Sequence, residues 1–511
     1  MTETVFAAID IGMYYVSMEL FELKKKETML SLGSVRQRLE LGKDIFALKK
    51  ITMKRVEELI SILEGFRGIM REYRVSDYRI CAKAAVREAR NLVFVVEHVT
   101  RETGMEIEIL SNSEQRFISY KSIASRGERF DNCIRKSTAI IDVGGGSTQL
   151  SLFEKDALVA TQNIQLGSLR IRERLAGFEK ETSRYDLLVE QMARKDISDF
   201  AHMYVKDRKV EHIILVGDYF TNLIFQNRGD ADKIETREEF LEWYDHIVRL
   251  APREVAEELG IVEDLSSVLI PMAVLYRTII EELGAEKIWL PGIQLTDGIA
   301  YDYAERKKLI RPTHDFERDI RIEARRLAEK YGGNSAHIRQ ITKTADALFD
   351  VLKKGSMLDS RARLLLKVAC ALHECGRYIS LVHVGECSYN IIRSTEIIGL
   401  TDRERYMIAC IVRYSTSDFA FYEELVPDPQ LGRREFVLVA ALTAILRVAV
   451  SLDYSRMQKP EEIKITKKER KIIFRVETRE DFTLEKGIFL ENTEFFEEIY
   501  DLKPVLKIKK S

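Results

Sequence analysis

The chain has 511 residues, of which 46% are hydrophobic and 32% are charged, and its formal net charge is −2. Because acidic and basic residues nearly cancel, the protein lacks the overall basic field that binds nucleic acid without sequence preference. A chain of this length is too long for one hydrophobic core, and we expect three or four domains.

Cysteine usage and apolar runs favour a cytoplasmic protein without a membrane segment. The six cysteines include no C-x-x-C pair, and the first residues, MTETVFAAID, do not have the pattern of a signal peptide. We therefore expect reduced thiols in the cytoplasm. The longest apolar stretch, residues 436–446, is too short to cross a bilayer and is expected to be a buried helix.

The first elements predict a strand, a polar turn and a return strand. Residues 5–12, VFAAIDIG, form an apolar run that ends in Asp10 and Gly12. The next segment, residues 16–23, alternates between apolar and polar positions like an antiparallel strand. A third strand pattern follows, and residues 49–74 then have the periodicity of a long amphipathic helix.

Residues 139–150, AIIDVGGGSTQL, carry the strongest functional signal. An apolar strand pattern ends in Asp142 and is followed by small and hydroxyl residues, Gly144, Gly145, Gly146, Ser147 and Thr148. Consecutive glycines let the backbone approach a ligand and point its N–H groups at it, and the hydroxyls add donors. Asp142 could hold a divalent cation or its waters. The segment predicts a phosphate loop; a glycine-rich turn without a ligand is the alternative.

The strand–Asp–x–Gly pattern occurs twice. Asp10-Ile11-Gly12 and Asp142-Val143-Gly144 are about 130 residues apart. This spacing indicates a duplicated domain with two phosphate loops facing one cleft.

The remaining patterns complete a four-part organisation. Helix and strand periodicities continue to about residue 308, helical periodicity dominates residues 313–460, and the tail returns to strand-like alternation. We therefore expect one lobe at residues 1–125, a second at 126–308, a helical domain at 313–460 and a small α+β subdomain at 461–511.

With these motifs the chain resembles the Ppx/GppA family, the exopolyphosphatases and guanosine pentaphosphate phosphatases of the actin, Hsp70 and sugar-kinase superfold. The resemblance runs in family order through residues 81–91, 108–117, 166–175, 294–303, 337–350, 369–380 and 444–456. It implies an α/β fold of duplicated, ribonuclease H-like lobes, followed by a helical HD-type domain and a small α+β tail.

The resemblance also implies a reaction and a set of site residues. The reaction is Mg²⁺-dependent release of terminal phosphate from polyphosphate or from guanosine pentaphosphate. The implied binding partners are polyphosphate or guanosine penta- or tetraphosphate, and a homodimer is implied as well. Asp10 and Asp142 take the metal positions of the family. The phosphate-binding positions fall on Gly12, Arg87, Gly144, Gly145, Gly146, Ser147, Thr148, Gly167 and Ser168.

The catalytic position of the family falls on Glu114 and Gln115. The family places its catalytic glutamate second of two adjacent acids, and that place is taken here by Gln115, with Glu114 before it. A glutamine can orient water but cannot accept its proton. Adjacent residues on a helix point about 100° apart, so Glu114 is not a simple replacement.

Other positions depart from the family pattern. The bulky residues Met13, Tyr14 and Tyr15 follow the first glycine. Lys83 replaces a small or hydroxyl residue, Gln149 replaces an acidic one, and Asp218 adds a negative charge to the turn 217–221. Two functions therefore stay open. One is an impaired phosphoanhydride hydrolase, and the other is a non-catalytic regulatory module that binds polyphosphate or an alarmone.

The helical domain and two basic clusters are less informative. HD-type metal sites need a histidine, a His-Asp pair and a distant Asp. The corresponding residues here are His337, His373 with Glu374, and Asp453. We interpret this domain as a scaffold that lengthens a polyanion groove or mediates dimer contacts. The alternating arginines of residues 170–174 and the lysines of 24–26 are either polyanion contacts or solvated surface.

Overall fold

The computed structural model describes residues 4–510 except 26–28, 179–181, 183, 207, 218–232, 262, 313, 355–356, 421 and 426–430. The chain forms two compact units, residues 1–315 and 316–511. Each unit is built around its own set of buried apolar side chains.

The first unit begins with a lobe around a five-stranded sheet. Its strands are β1 (Thr4–Ile11), β2 (Tyr15–Leu23), β3 (Leu30–Arg38), β4 (Asp77–Ala82) and β5 (Ile107–Ile109), in the order β3-β2-β1-β4-β5. Its helices are α1 (Leu41–Leu48), α2 (Met53–Glu72), α3 (Leu92–Thr103), α4 (Asn112–Ala124) and α5 (Glu128–Ile134), with a 3₁₀ turn at Ala84–Glu88.

A second lobe repeats this plan. Its strands are β6 (Thr138–Val143), β7 (Thr148–Glu154), β8 (Ala157–Ile164), β9 (His212–Gly217), β10 (Lys233–Thr236) and β11 (Lys287–Leu290), in the order β10-β11-β9-β6-β7-β8. Its helices are α6 (Ser168–Leu175), α7 (Tyr185–Phe200), α8 (Arg237–Ile247), α9 (Pro252–Leu259), α10 (Glu263–Leu283) and α11 (Leu295–Arg306), and a π-helical turn, Ala201–Val205, follows α7.

The two sheets confirm the predicted duplication. In each lobe the strand that carries the aspartate lies between an antiparallel hairpin partner and a parallel strand, β1 between β2 and β4, and β6 between β7 and β9. The aspartates occupy equivalent register positions, since Asp10 is paired with Ser17 and Asp142 with Gln149. Strand β10 is the one element added to the edge of the second sheet.

Sequence periodicity explains the main helices. The buried residues of α2 recur every three or four positions, at Val56, Leu59, Leu63, Phe66 and Met70, which gives one apolar face. The apolar stretch 436–446 lies inside a largely buried helix, as expected. Among the described residues, no helix combines the length and apolar character needed to cross a membrane.

The second unit is helical and ends in a small sheet. Its helices are α12 (Phe316–Lys330), α13 (Ser335–Leu352), α14 (Ser360–Leu372), α15 (Val384–Ser394), α16 (Asp402–Arg413), α17 (Tyr422–Leu425), α18 (Arg433–Ser451), α19 (Thr483–Glu491) and α20 (Thr493–Tyr500), with a 3₁₀ turn at Cys375–Tyr378. Its strands are β12 (Glu462–Lys468), β13 (Lys471–Thr478) and β14 (Lys503–Lys510). The predicted α/β lobes, helical domain and α+β tail are thus confirmed.

Candidate functional site

The two predicted loops have the same backbone geometry. The Gly12 N–H donates to the Tyr15 carbonyl, and the Gly144 N–H donates to the Ser147 carbonyl, each at 2.9 Å. In each lobe, the glycine N–H that follows the aspartate strand is thus hydrogen-bonded to the carbonyl three residues further along the chain. The repeat read from the sequence is a repeat of structure.

The second loop turns its carbonyl groups towards helix α6. The amides of Ser168 and Arg170 donate to the carbonyls of Gly144 and Gly145 at 3.1 and 2.9 Å, and the Arg170 Nε donates to the Gly146 carbonyl at 2.7 Å. Within the described part of the chain, the amides of the last two glycines and of the following serine have no protein acceptor. These amides are the groups that a phosphate cradle uses.

Three of the residues predicted to contact phosphate, Gly167, Thr148 and Ser168, also have structural contacts that support the loop. A Cβ on Gly167 would lie 2.5 Å from the Gly145 carbonyl carbon and 2.6 Å from the Gly144 oxygen, so only glycine fits behind the loop. The Thr148 hydroxyl donates to the Leu166 carbonyl at 2.5 Å. Ser168 is buried in the first turn of α6.

The two loops face one another closely. The Met13 Cβ lies 3.5 Å from the position that a Cβ on Gly145 would take. A pocket of about 30 Å³ remains beside the first loop, lined by Asp10, Gly12, Met13, Tyr14, Tyr15, Ser17, Lys83, Gly217, Gln294 and Leu295. This volume holds water but not a phosphate group.

Tyr14 narrows this pocket and is held by arginines. Its side chain is 4% exposed, and the Arg38 Nη2 donates to its hydroxyl at 3.4 Å. Arg172 of α6 lies close enough to the same side chain to interact with it electrostatically. The bulky Tyr14 that follows the first glycine therefore fills space beside this loop, and residues of both lobes surround it.

The predicted metal positions differ between the lobes. The Lys83 Nζ lies 3.2 Å from the Asp10 Oδ2, and both side chains are 13% exposed. Asp142 accepts a hydrogen bond from the Ser119 hydroxyl at 3.0 Å. The Oε1 of its register partner Gln149 is buried and has no hydrogen-bond partner among the described residues. The second lobe thus offers hard oxygen ligands that suit Mg²⁺, whereas Lys83 supplies the positive charge at Asp10.

Helix α4 distinguishes the two candidate catalytic residues. Glu114 forms a capping box with Ser111, because its carboxylate accepts from the Ser111 N–H at 2.9 Å and its N–H donates to the Ser111 hydroxyl at 3.1 Å. Gln115 is buried one helical turn before Ser119, on the same face, and Ser119 contacts Asp142. Ser119 is a site residue that no sequence motif predicted, although it lies four residues after Gln115.

Arg87 and Asn91 have different surroundings. Arg87 is exposed, and its Nη2 lies 3.4 Å from the Asn112 Oδ1 at the start of α4. The Asn91 side chain accepts from the Ile51 N–H at 2.9 Å and donates to the Ile51 carbonyl at 2.8 Å. Asn91 therefore fastens the chain between α1 and α2.

The basic clusters make protein contacts. The arginines of residues 170–174 lie on a helix, residues 168–175. Arg170 pairs with Glu88, and Arg172 pairs with Glu173 at 2.7 Å. Lys24 pairs with Glu22 at 2.9 Å. The lysine at 26 and the turn residues 218–221 lie outside the described residues.

One titratable group lies next to a residue that lines the pocket. The carboxylate of Asp297, near the start of α11, accepts from the Gln294 N–H at 2.7 Å. Burial, together with the negative charge of Glu19, raises the pKa of Asp297 above its ordinary value. This side chain therefore brings less negative charge to the pocket than a solvent-exposed aspartate would.

Comparison with known proteins places the chain among phosphatases. The profile of the Ppx/GppA phosphatase family matches residues 22–307, and that of Ppx/GppA phosphatase, domain III, matches residues 320–497. A Photobacterium profundum protein named guanosine-5'-triphosphate,3'-diphosphate pyrophosphatase is 20% identical over 88% of this chain and 87% of its own length. A Fusobacterium nucleatum bifunctional 3-dehydroquinate synthase/phosphatase is 25% identical over 50% of this chain and 38% of its own.

Solved structures share the fold of the lobes. An Aquifex aeolicus member of the Ppx/GppA family superposes with a TM-score of 0.50 and 18% identity, covering 60% of this chain and 99% of its own. A Cytophaga hutchinsonii exopolyphosphatase gives a TM-score of 0.51 and 14% identity, covering 60% and 100%. Since the two family profiles together span most of the sequence, the chain belongs to the Ppx/GppA phosphatase family.

Proposed function

We propose that this protein binds the terminal phosphate of polyphosphate or guanosine pentaphosphate between its two lobes and hydrolyses the anhydride slowly. The glycine loop after Asp142 would hold the phosphate through its free amides. Arg87 near the start of α4 would add positive charge. The family supports the reaction class, and the side chains around the loops support the low rate.

The observation that carries this proposal is the geometry of α4. Gln115 shares a face with the serine that contacts Asp142, while the neighbouring glutamate is held in the capping box. Gln115 would orient the attacking water by hydrogen bonding but could not remove its proton. Loss of a general base typically lowers a rate by about 10²- to 10⁴-fold.

Magnesium is compatible with the second lobe. The carboxylate of Asp142 and the amide oxygen of Gln149 would hold the ion, which supplies charge neutralisation to the phosphate when bound. Lys83 would take over part of this charge on the side of Asp10. An ammonium group there reduces the demand for a metal in the first lobe.

A second function, a non-catalytic sensor of the same ligands, is favoured by the narrow pocket. Tyr14 and Lys83 occupy the space beside Asp10, and about 30 Å³ is left. A ligand that opened this pocket would shift the lobes towards an open state, which is a signal that needs no turnover.

Phosphate release and binding measured on the same protein separate these functions. With long-chain polyphosphate and guanosine pentaphosphate, we expect weak, Mg²⁺-dependent phosphate release by the wild type. Gly145→Val should abolish binding, because a Cβ there already lies 3.3 Å from a Leu169 methyl carbon. Binding without release would favour the sensor, and absence of binding would reject both.

A further inference from the structure

The three-stranded sheet at the end of the second unit has a covered face and an open face. The covered face of β13 carries Ile472, Phe474 and Val476, which belong to the core of the unit. Since successive residues of a strand point to opposite faces, Lys471 and Arg475 lie on the open face, and both are exposed. Lysines occupy the register-paired positions of β12 and β14, so the open face is dominated by cationic side chains.

These cations form two rows across the sheet. The strand register places Lys464, Arg475 and Lys507 in the first row, and Lys468, Lys471 and Lys503 in the second. All six side chains are exposed. The rows are four residues apart along each strand, a distance of about 13 Å. The uncharged residues Thr466, Ile473 and Val505 form the row midway between them.

Few acidic side chains compensate the two rows. In the described part of the sheet, the ion pairs at the open face are Lys464 with Glu462 at 2.8 Å and Lys509 with Glu477 at 3.0 Å, both at one end. The other five cations of the rows have no ion-pair partner among the described residues. Like charges directly opposite one another on a sheet are destabilising. A polyanion bound to this face would therefore remove an unfavourable repulsion.

We propose that the open face binds the phosphate backbones of a nucleic-acid duplex without reading its sequence. A duplex has a phosphate backbone on each side of a groove that is about 6–12 Å wide. Two rows of cations about 13 Å apart can contact both backbones. Lysine is a flexible point charge, and contacts to phosphate carry no sequence information.

The shape and composition of the face favour a duplex over other polyanions. Single strands are held by stacking bases on aromatic side chains, and the described residues of the open face include none. A membrane surface is flat, whereas neighbouring strands are rotated by about 20–25°. The central Ile473 is only 9% exposed and offers no apolar group for insertion into lipid. A polyphosphate chain is a single line of charge and needs one row, not two.

The proposal concerns a local surface and is independent of the function proposed for the lobes. The chain as a whole has a net charge of −2, so it has no general attraction for nucleic acid. Binding should therefore depend on this face.

The test measures binding of the full chain to a fluorescent duplex of about 20 base pairs, prepared as DNA and as RNA. We expect a Kd of about 10⁻⁶ to 10⁻⁴ M at physiological salt for at least one of the two duplexes. The logarithm of the affinity should fall linearly with the logarithm of the salt concentration. The slope should be roughly −5 if about six phosphates are contacted.

Variants separate the open face from other lysines. Lys471→Gln and Lys507→Gln, one in each row, should each weaken duplex binding and make the salt slope less steep by about 1. Lys467 is exposed in the same sheet, but it is paired in register with the buried Ile472 and so belongs to the covered face. Lys467→Gln should leave both the affinity and the slope unchanged.

Stability and competing ligands complete the test. Because the row replacements relieve repulsion between like charges, calorimetry should show no loss of stability in the second unit. The proposal would be overturned by absence of binding to both duplexes or by an equal loss in Lys467→Gln. It would also be overturned if the row replacements weakened binding of a single strand, polyphosphate or phosphatidylserine vesicles more than binding of the duplex.

Discussion

A buried aspartate in the first unit should be among its most sensitive positions. Asp302 of α11 is 1% exposed and accepts from the Lys121 Nζ at 2.6 Å and the Arg79 Nη1 at 2.7 Å. Arg306 lies 2.9 Å away. Lys121 of α4 is itself 4% exposed and also pairs with Glu305. The aspartate thus joins the last helix of the second lobe to α4 and β4 of the first.

Replacing Asp302 by alanine leaves a buried ammonium and a guanidinium short of a partner. Breaking a buried ion pair in this way costs about 3–5 kcal/mol. For a unit of this size we expect the midpoint of its thermal unfolding to fall by roughly 10 °C. Calorimetry of the full chain should show this fall in the transition of the first unit and leave that of the second unchanged.

A matched control exists on the surface of the second unit. Asp350 also has two cationic partners, Lys353 at 2.7 Å and Arg363, but its side chain is 50% exposed. Asp350→Ala should cost less than about 1 kcal/mol, since water screens such pairs. Equal and small effects of the two replacements would refute the reasoning that burial sets the cost.

Further predictions concern stability at acid pH, the packing of Gly167 behind the glycine loop, and the hydrogen bonds of the Asn91 side chain. Burial alone would raise the pKa of Asp302, but Lys121, Arg306 and Arg79 outweigh it and hold the pKa below its ordinary value. The ionised carboxylate therefore stabilises the fold above about pH 4, and this stabilisation is lost as the pH falls through the lowered pKa. Asp302→Asn should make the free energy of unfolding depend less on pH in the acid range. An unchanged pH dependence would contradict this. Gly167→Ala should displace the glycine loop and abolish ligand binding, because a Cβ there meets the loop backbone. Gly65→Ala, in an open helix position of α2, should instead stabilise the protein by about 0.5–1 kcal/mol. Equilibrium binding and calorimetry measure the two effects, and retained ligand binding by Gly167→Ala would refute the packing argument. Asn91→Ala leaves the Ile51 backbone without two partners and should cost about 1–3 kcal/mol in thermal unfolding, while a neutral result would mean that water replaces the side chain.

The architecture was predictable because its signals are local. The strand–Asp–x–Gly pattern and the alternating hairpins require only neighbouring residues, and both recur in equivalent places of the two sheets. The helix at 168–175 follows the same rule, since its buried positions, Leu169, Ile171, Arg172 and Leu175, have helical spacing.

The site was less predictable because it depends on contacts between distant segments. Gly167 supports the loop by packing against the backbone of Gly144 and Gly145, more than 20 residues earlier in the chain. No rule of sequence spacing predicts such a contact. The capping box that holds Glu114 could be predicted from Ser111. The contact of Ser119, one turn after Gln115, with Asp142 could not, because it depends on how α4 packs against the second sheet. In the second unit, the buried His337 likewise contacts His373 and Asp453, which lie 36 and 116 positions further along the chain.

We propose that hydrolysis is slow because residue 115, one helical turn before the serine that contacts Asp142, is an amide and not a carboxylate. The direct test is steady-state phosphate release by Gln115→Glu beside the wild type and Glu114→Gln. We expect the first variant to raise kcat by about 10²-fold or more and the second to leave it within a few-fold. No gain from Gln115→Glu, together with loss of all release in Glu114→Gln, would contradict the claim.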